Sequence, residues 1–144
     1  MKENTAKSTG DLSNELSSSP ALDQFLSRNR DTFIDPDIGN NIQIMLLQKD
    51  LAKAELARRS GMSTVYLYQL LNGRRSPSRD RMLCICIGLG RDLAETQAFL
   101  EKNLFAGLYV KIRREAIISY GLEKHLDINR INDLLYENEE ETLI

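Results

Sequence analysis

Four residues on one face of a predicted helix have the chemistry to contact the edges of nucleic-acid bases. Thr64, Val65, Tyr68 and Gln69 stand at positions i, i+1, i+4 and i+5, which share one side of an α-helix. The Gln69 amide carries both the donor and the acceptor that pair with N7 and N6 of adenine. Thr64 and Val65 offer methyl groups for thymine, and Tyr68 can reach a base edge or a phosphate. These residue types suit a base-contacting surface, and an ordinary solvated helix face is the alternative.

Residues on either side of this helix have the chemistry to bind phosphate. Ser63 caps the helix start, where backbone N–H groups point outwards, and Lys53 begins the preceding helix. Asn72, Arg74 and Arg75 follow the helix end. We expect all five to contact phosphates, whereas a solvated loop is the alternative for the arginine pair.

Charge is segregated along the chain. Residues 1–36 carry four basic and six acidic side chains, residues 37–91 carry nine and four, and residues 92–144 carry six and eleven. The net charge of −2 therefore hides a middle segment of +5. Because local charge matters more than total charge for binding a polyanion, the middle segment favours nucleic acid as a partner. Solvated charged faces are the alternative interpretation.

Helix start and stop signals define the elements that hold these residues. Asp35 as cap and Pro36 in the first turn predict a helix that ends near Lys49. A second helix is expected at about Lys53–Ser60. Gly61 ends it, because glycine readily adopts the positive φ that such a break requires.

The same signals continue towards the end of the chain. Met62 fills the turn, and the helix capped by Ser63 ends near Asn72. A fourth helix is predicted to start at about Arg79. Three more are predicted at roughly Leu93–Glu101, 111–124 and 128–137. Asp92 and Asp127 are the expected caps of two of them, and the acidic residues 137–141 are expected to fray.

Residues 56–73 resemble the lambda-repressor/Cro-like (XRE-type) helix-turn-helix family. The matching features are the pair Leu56-Ala57, the turn residue Gly61 with an apolar residue after it, the Ser63 cap and the closing Asn72-Gly73. The resemblance implies that the third helix of the domain enters the major groove and that the protein is a sequence-specific DNA-binding transcriptional regulator. Where the family often has Gln, this chain has Lys53.

The groove face is relatively apolar, which leaves a second hypothesis open. Val65 and two tyrosines lie on or near it. Such a surface also suits a protein-interaction adaptor that has kept the helix-turn-helix fold.

The expected architecture is all-α: a five-helix lambda-repressor-like domain followed by a C-terminal helical hairpin. We predict a disordered tail over 1–18, an N-terminal segment with a short helix over 19–35, the DNA-binding domain over 36–104, and the hairpin with its acidic end over 105–144. The short helix is expected to start at Ser19 and Pro20.

The whole chain also resembles, more loosely, small bacterial regulators with a C-terminal helix pair, in the stretches 72–80 and 132–136. The hairpin either covers the core or mediates dimerisation. Because one domain reads only a few base pairs, we expect a homodimer on double-stranded DNA. No small-molecule effector can be named.

Other classes of protein find no support in the sequence. Cys84 and Cys86 are two positions apart in a helix, where they cannot form an ordinary disulfide, and His125 is the single histidine. We therefore expect structural cysteines, a surface histidine, no metal and no cofactor. No nucleophile–base pair or glycine-rich phosphate loop indicates an enzyme. No apolar run reaches the ~18 residues of a membrane span, and the polar first twenty residues do not resemble a signal peptide, so a cytoplasmic protein is expected.

Overall fold

The computed structural model describes residues 7–33 and 36–144, and the regular elements in these two ranges are all helical. The predicted all-α class is confirmed. The chain divides into two compact units, residues 1–35 and residues 36–144. Among the described residues, no helix combines the length and the apolar character that crossing a membrane requires.

The first unit corrects the prediction of a disordered tail over 1–18 in its described part, since residues 1–6 lie outside the described residues. Helix α1 covers Thr9–Ser18, because Ser8 and Asp11 form a capping box at its start. The buried Asn29 amide donates to Glu15 Oε2 over 2.7 Å and to the Phe25 carbonyl over 3.0 Å, which ties α1 to the following helix. The sequence pattern did not indicate this helix, because none of its residues is buried and its apolar periodicity is weak.

Helix α2 covers Leu22–Arg28 and is followed by a 3₁₀ turn at Arg30–Thr32. It starts later than predicted, with Ala21 as an N-cap that makes no side-chain bond. Ser19, the expected cap, instead donates its hydroxyl to the Glu15 carbonyl over 2.9 Å at the end of α1.

The second unit contains seven helices within residues 36–144. The first is capped by Asp37, whose carboxylate accepts from the Asn40 N–H. The predicted cap Asp35 lies outside the described residues. Ser63, Asp92 and Asp127 cap three later helices as predicted. The seven helices are α3 Ile38–Lys49, α4 Lys53–Arg59, α5 Thr64–Leu71, α6 Arg79–Gly88, α7 Leu93–Lys102, α8 Arg113–Glu123 and α9 Ile128–Glu137.

Helix α6 is the centre of this unit and packs against α4, α7 and α9. All its residues from Met82 to Gly88 are buried. Gly88 lets α4 approach closely, since a Cβ at this position would lie 2.3 Å from Ser60 Oγ. Cys84 and Cys86 are free and buried in this helix, and burial raises the pKa of each thiol to about 12. Their expected structural role agrees with this burial.

The hairpin α8–α9 shares one hydrophobic core with the helices before it. Ile118 and Ile131 are fully buried, and Gly121 makes room for Ile131. The segment after α9 is also held in place, contrary to the expected fraying. The Leu143 N–H donates to Asn132 Oδ1 over 2.7 Å, and the Leu143 side chain is buried.

Ion pairs between α6 and α8 join the two parts of this unit. Arg79 donates to both carboxylate oxygens of Glu115, over 2.7 and 3.1 Å. Arg114 donates to both oxygens of Asp80, over 3.2 and 3.0 Å. Because Arg79 hydrogen-bonds to Glu115, the pKa of this nearly buried carboxyl lies below its ordinary value.

Candidate nucleic-acid interface

The turn between α4 and α5 sets the angle of the two helices at the candidate site. Gly61 has a φ of +69°, and its N–H donates to the Arg58 carbonyl over 3.2 Å. The Met62 N–H donates to the Ala57 carbonyl over 3.0 Å, and its side chain packs on the core. Ser63 Oγ then accepts from the Tyr66 N–H over 3.1 Å and starts α5. The predicted Gly-centred turn and Ser cap are both present.

Helix α5 has one buried side and one exposed side. Leu67, Leu70 and Leu71 are buried on the side that faces α3 and α4. On the opposite side Thr64 is exposed, and the exposed fractions of Val65 and Tyr68 are 67% and 49%. Three of the four predicted base-contacting residues are therefore exposed to solvent.

Gln69, the fourth predicted base-contacting residue, is half-buried and already bonded. Arg75 Nε donates to Gln69 Oε1 over 2.6 Å. The loop after α5 holds Arg75 near Gln69, because the N–H groups of Arg74 and Arg75 both donate to the Gln69 carbonyl, over 2.9 and 3.1 Å. A residue predicted to contact bases is thus joined to one predicted to contact phosphate.

Tyr66 and Arg81 belong to the same surface, although the sequence analysis did not select them. The guanidinium of Arg75 lies 5.3 Å from the centre of the Tyr66 ring, and that of Arg81 lies 5.0 Å from it. Cations at such distances are attracted to the ring face. Tyr66 therefore holds two positive groups together near the end of α5.

The remaining predicted phosphate-binding residues lie at the two ends of the helix pair. Lys53 is the first residue of α4, and its ammonium lies 5.5 Å from the centre of the Tyr68 ring. Asn72 Oδ1 accepts from the Arg74 N–H over 3.1 Å, so the Asn72 side chain shapes the loop. The exposed Arg74 side chain has no hydrogen-bond or ion-pair partner within the described residues.

Internal pairing divides the basic residues of this unit into two sets. Some have carboxylate partners, and Glu55 shows the effect: hydrogen bonds from Arg58 and Arg59 lower its pKa to about 2. Others lie within 4 Å of no carboxylate in the part of the chain that the structure describes, and four of these are at or beside α5: Lys53, Arg74, Arg75 and Arg81. These four surround α5 and give its exposed side a positive field.

Residues 42–95 match a family model described as helix-turn-helix. The matched segment begins inside α3, ends in the first turn of α7 and contains α4, the Gly61 turn and α5. Comparisons with curated proteins and with solved structures gave no match.

Proposed function

Residues 42–95 are a helix-turn-helix domain of the lambda-repressor/Cro-like family, a DNA-binding type, and from this premise we propose that the protein is a sequence-specific transcriptional regulator that reads the major groove with α5. One observation carries the proposal. The exposed side of α5 is bordered by four cations without carboxylate partners in the described residues. A surface of this kind suits a polyanion that presents base edges between two phosphate backbones.

In this proposal, residues at the two ends of the α4–α5 pair bind the phosphates of the DNA backbone. Lys53 and the N-terminal N–H groups of α5, at Ser63, are placed for one strand. Arg74 and Arg75 follow the C-terminal end of α5 and are placed for a second contact. Asn72 supports this second contact, since it orders the loop that carries both arginines.

We assign the contacts with base edges to Thr64, Val65, Tyr68 and Gln69. A glutamine oxygen has two lone pairs, so the bond from Arg75 leaves one for adenine N6, while Gln69 Nε2 can donate to N7. Arg75 thereby acts as a positioning residue for Gln69. A fixed amide also loses less conformational entropy on binding than a freely rotating one.

Equilibrium binding of the full chain to duplex DNA over a range of salt concentrations tests the proposal. Each phosphate contact adds about 0.9 to the slope of log affinity against log salt, so several contacts give a steep slope. Selection from randomised duplexes then measures base preference. A shallow slope with no selected sequence would contradict the proposal.

The exposed apolar residues of α5 favour one alternative, a protein-interaction adaptor. Val65 and Tyr68 give this face more apolar area than a phosphate-facing surface needs. On that hypothesis the DNA experiment fails, and Val65→Asp abolishes association with a protein partner without altering any DNA affinity.

We further propose that the regulator binds DNA as a homodimer joined through the outer side of the hairpin. A cavity of about 290 Å³ lies there between α8 and α9, lined mainly by Ala116, Ile117, Tyr120 and Leu134. Deleting the hairpin cannot test this, because Ile131 and Leu135 belong to the core. Sedimentation equilibrium should instead show that Tyr120→Glu weakens dimerisation. Tyr109→Glu, at a similarly exposed tyrosine outside the cavity, should not.

A further inference from the structure

A cavity of about 360 Å³ lies on the second unit, between the C-terminal ends of α4 and α6 and the turn that joins α8 to α9. Its volume falls in the range of pockets that hold small molecules. Ile87, Leu122 and Leu126 supply an apolar part of the wall. Gly88 and Gly90, at the end of α6 and just after it, line another part.

Three arginines line this cavity, and each keeps donors that no described residue uses. Arg58 and Arg59 share Glu55, but the terminal nitrogens of Arg59 make no bond. Arg91 donates one terminal nitrogen to Glu95 over 3.2 Å, while its buried Nε has no partner within the described residues. The terminal N–H groups of a guanidinium are the donors that pair with carboxylate and phosphate oxygens, so the unused terminal nitrogens of Arg59 and Arg91 suit an anionic ligand.

The start of α9 adds backbone donors to the same cavity. Ile128 and Asn129 line it, and their N–H groups have no acceptor in the described part of the chain. Asp127 also lines the cavity, but its carboxylate already accepts from the Arg130 N–H over 2.8 Å. The first turn of a helix favours an anion through both its N–H groups and its dipole.

We propose that this cavity binds a small phosphorylated molecule, with Arg59, Arg91 and the start of α9 holding the phosphate. A phosphate monoester has three acceptor oxygens and carries a charge of about −1.5 to −2 at neutral pH, which suits a cavity lined by two arginines with unused donors and by the start of a helix. A carboxylate has only two oxygens and one charge. The apolar wall formed by Ile87, Leu122 and Leu126 is placed for the organic part of the ligand.

A ligand in this cavity would lie against the C-terminal end of α4, the first helix of the candidate interface. Arg58 and Arg59 are the last residues of α4, and Lys53 is its first. Ile128 lies 3.7 Å from the position of a Cβ added at Gly61, in the turn before α5. The cavity therefore joins the turn of the hairpin to the turn that sets the angle of α5. The binding site itself is independent of the proposed DNA-binding function.

Titration of the full chain, followed by amide NMR shifts at constant ionic strength, tests the inference without DNA. The probes are inorganic phosphate, glucose 6-phosphate and, as a carboxylate comparison, succinate. We expect saturable shifts at Gly88, Gly90 and Asn129, with glucose 6-phosphate binding at least fivefold more tightly than succinate. Inorganic phosphate that binds as tightly as the ester would show that the apolar wall holds no organic group.

Two arginine variants separate a built site from diffuse positive charge. Arg59→Gln should raise the Kd of glucose 6-phosphate at least fivefold, while Arg130→Gln should change it less than twofold. These are matched controls, because the two side chains are 48% and 52% exposed, each pairs with a glutamate, and only Arg59 lines the cavity. Equal weakening by both variants, the absence of saturable shifts, or equal affinity for succinate would each overturn the inference.

Discussion

Arginine occurs in two contrasting settings in the second unit: around the end of α5 and in the contact between α6 and α8. Beside α5, Arg75 bonds to an amide and lies near an aromatic ring, and Arg74 has no side-chain partner among the described residues. Between α6 and α8, Arg79 and Arg114 each make two bonds to one carboxylate. Arg79 and Arg114 hold the fold together through their carboxylate partners, whereas Arg74 and Arg75 have no carboxylate partner among the described residues and remain available to the DNA backbone.

The contrast matters for reading charge from sequence. The segment 37–91 carries +5, but Arg79 lies within it and serves the fold. Arg75 and Arg79 are only four residues apart in the chain. Their partners, and not the density of charge, distinguish their roles.

The largest expected effect comes from breaking the contact between α6 and α8. Glu115→Ala removes the counter-ion of Arg79, which keeps only the Ala106 and Gly107 carbonyls as acceptors, and it removes the acceptor of the Tyr109 N–H. Because removing one member of a buried pair leaves the other uncompensated, the free energy of unfolding should fall by about 2–4 kcal/mol. Urea denaturation measures it. Glu101→Ala, at an exposed residue without an ion pair in the described ranges, should cost less than about 0.5 kcal/mol.

The next effect tests base reading at α5. Gln69→Ala should cost about 1–3 kcal/mol at the preferred DNA site and relax the preference at one position per half-site. Ser63→Ala is the contrasting variant: losing the cap should lower stability by about 1 kcal/mol and weaken binding to all sequences alike. Selections on randomised duplexes compare the two. A Gln69→Ala protein with the wild-type preference at every position would remove Gln69 from the base contacts.

Arg74 and Arg75 should affect DNA affinity without affecting stability. Replacing both with Ala should flatten the salt dependence of DNA binding by about 1–2 units of slope. The free energy of unfolding should change by less than about 0.5 kcal/mol. Lys102→Ala with Lys124→Ala removes the same charge outside the matched segment 42–95 and should leave the slope unchanged. An unaltered slope in the arginine variant would instead assign Arg74 and Arg75 to the solvated surface.

The smallest effect is a pH dependence at Glu115. Its pKa in the folded protein lies below the ordinary value of 4.5, chiefly because Arg79 hydrogen-bonds to the carboxylate. The stabilisation is therefore fully present above pH 4.5 and is lost as the pH falls through the lower, folded pKa. Thermal denaturation between pH 6 and pH 3 should show a smaller loss for Glu115→Gln than for the wild type. Equal losses would exclude Glu115 as a source of the acid sensitivity.

Local signals predicted much of the fold, because helix caps act within three residues. Ser63, Asp92 and Asp127 each bond to an N–H three positions later, a contact that sequence spacing alone indicates. Helix α1 also has such a cap, at Ser8. Because α1 has no buried residues, it lacks the periodic apolar pattern that would have indicated a helix.

Contacts between distant residues could not be predicted in this way. Glu115 lies 36 positions after Arg79, and the packing of α8 on α6 brings them together. The Arg75–Gln69 bond spans only six positions, but it crosses the end of a helix and depends on the path of the loop. The exposed side of α5 was predictable from helical spacing, whereas the partners of its side chains were not.

The burial of α6 has a consequence for the way the molecule opens. Residues 82–88 of this helix are all buried, and residues 82–86 also lie away from the cavity at the end of α4. Its amide hydrogens should therefore exchange with deuterium only when the whole second unit unfolds, and with one common free energy of opening. Helix α5, with one bare side, should exchange through smaller local openings. The slowest amides of the second unit should thus lie in the buried part of α6 and not on the exposed side of α5.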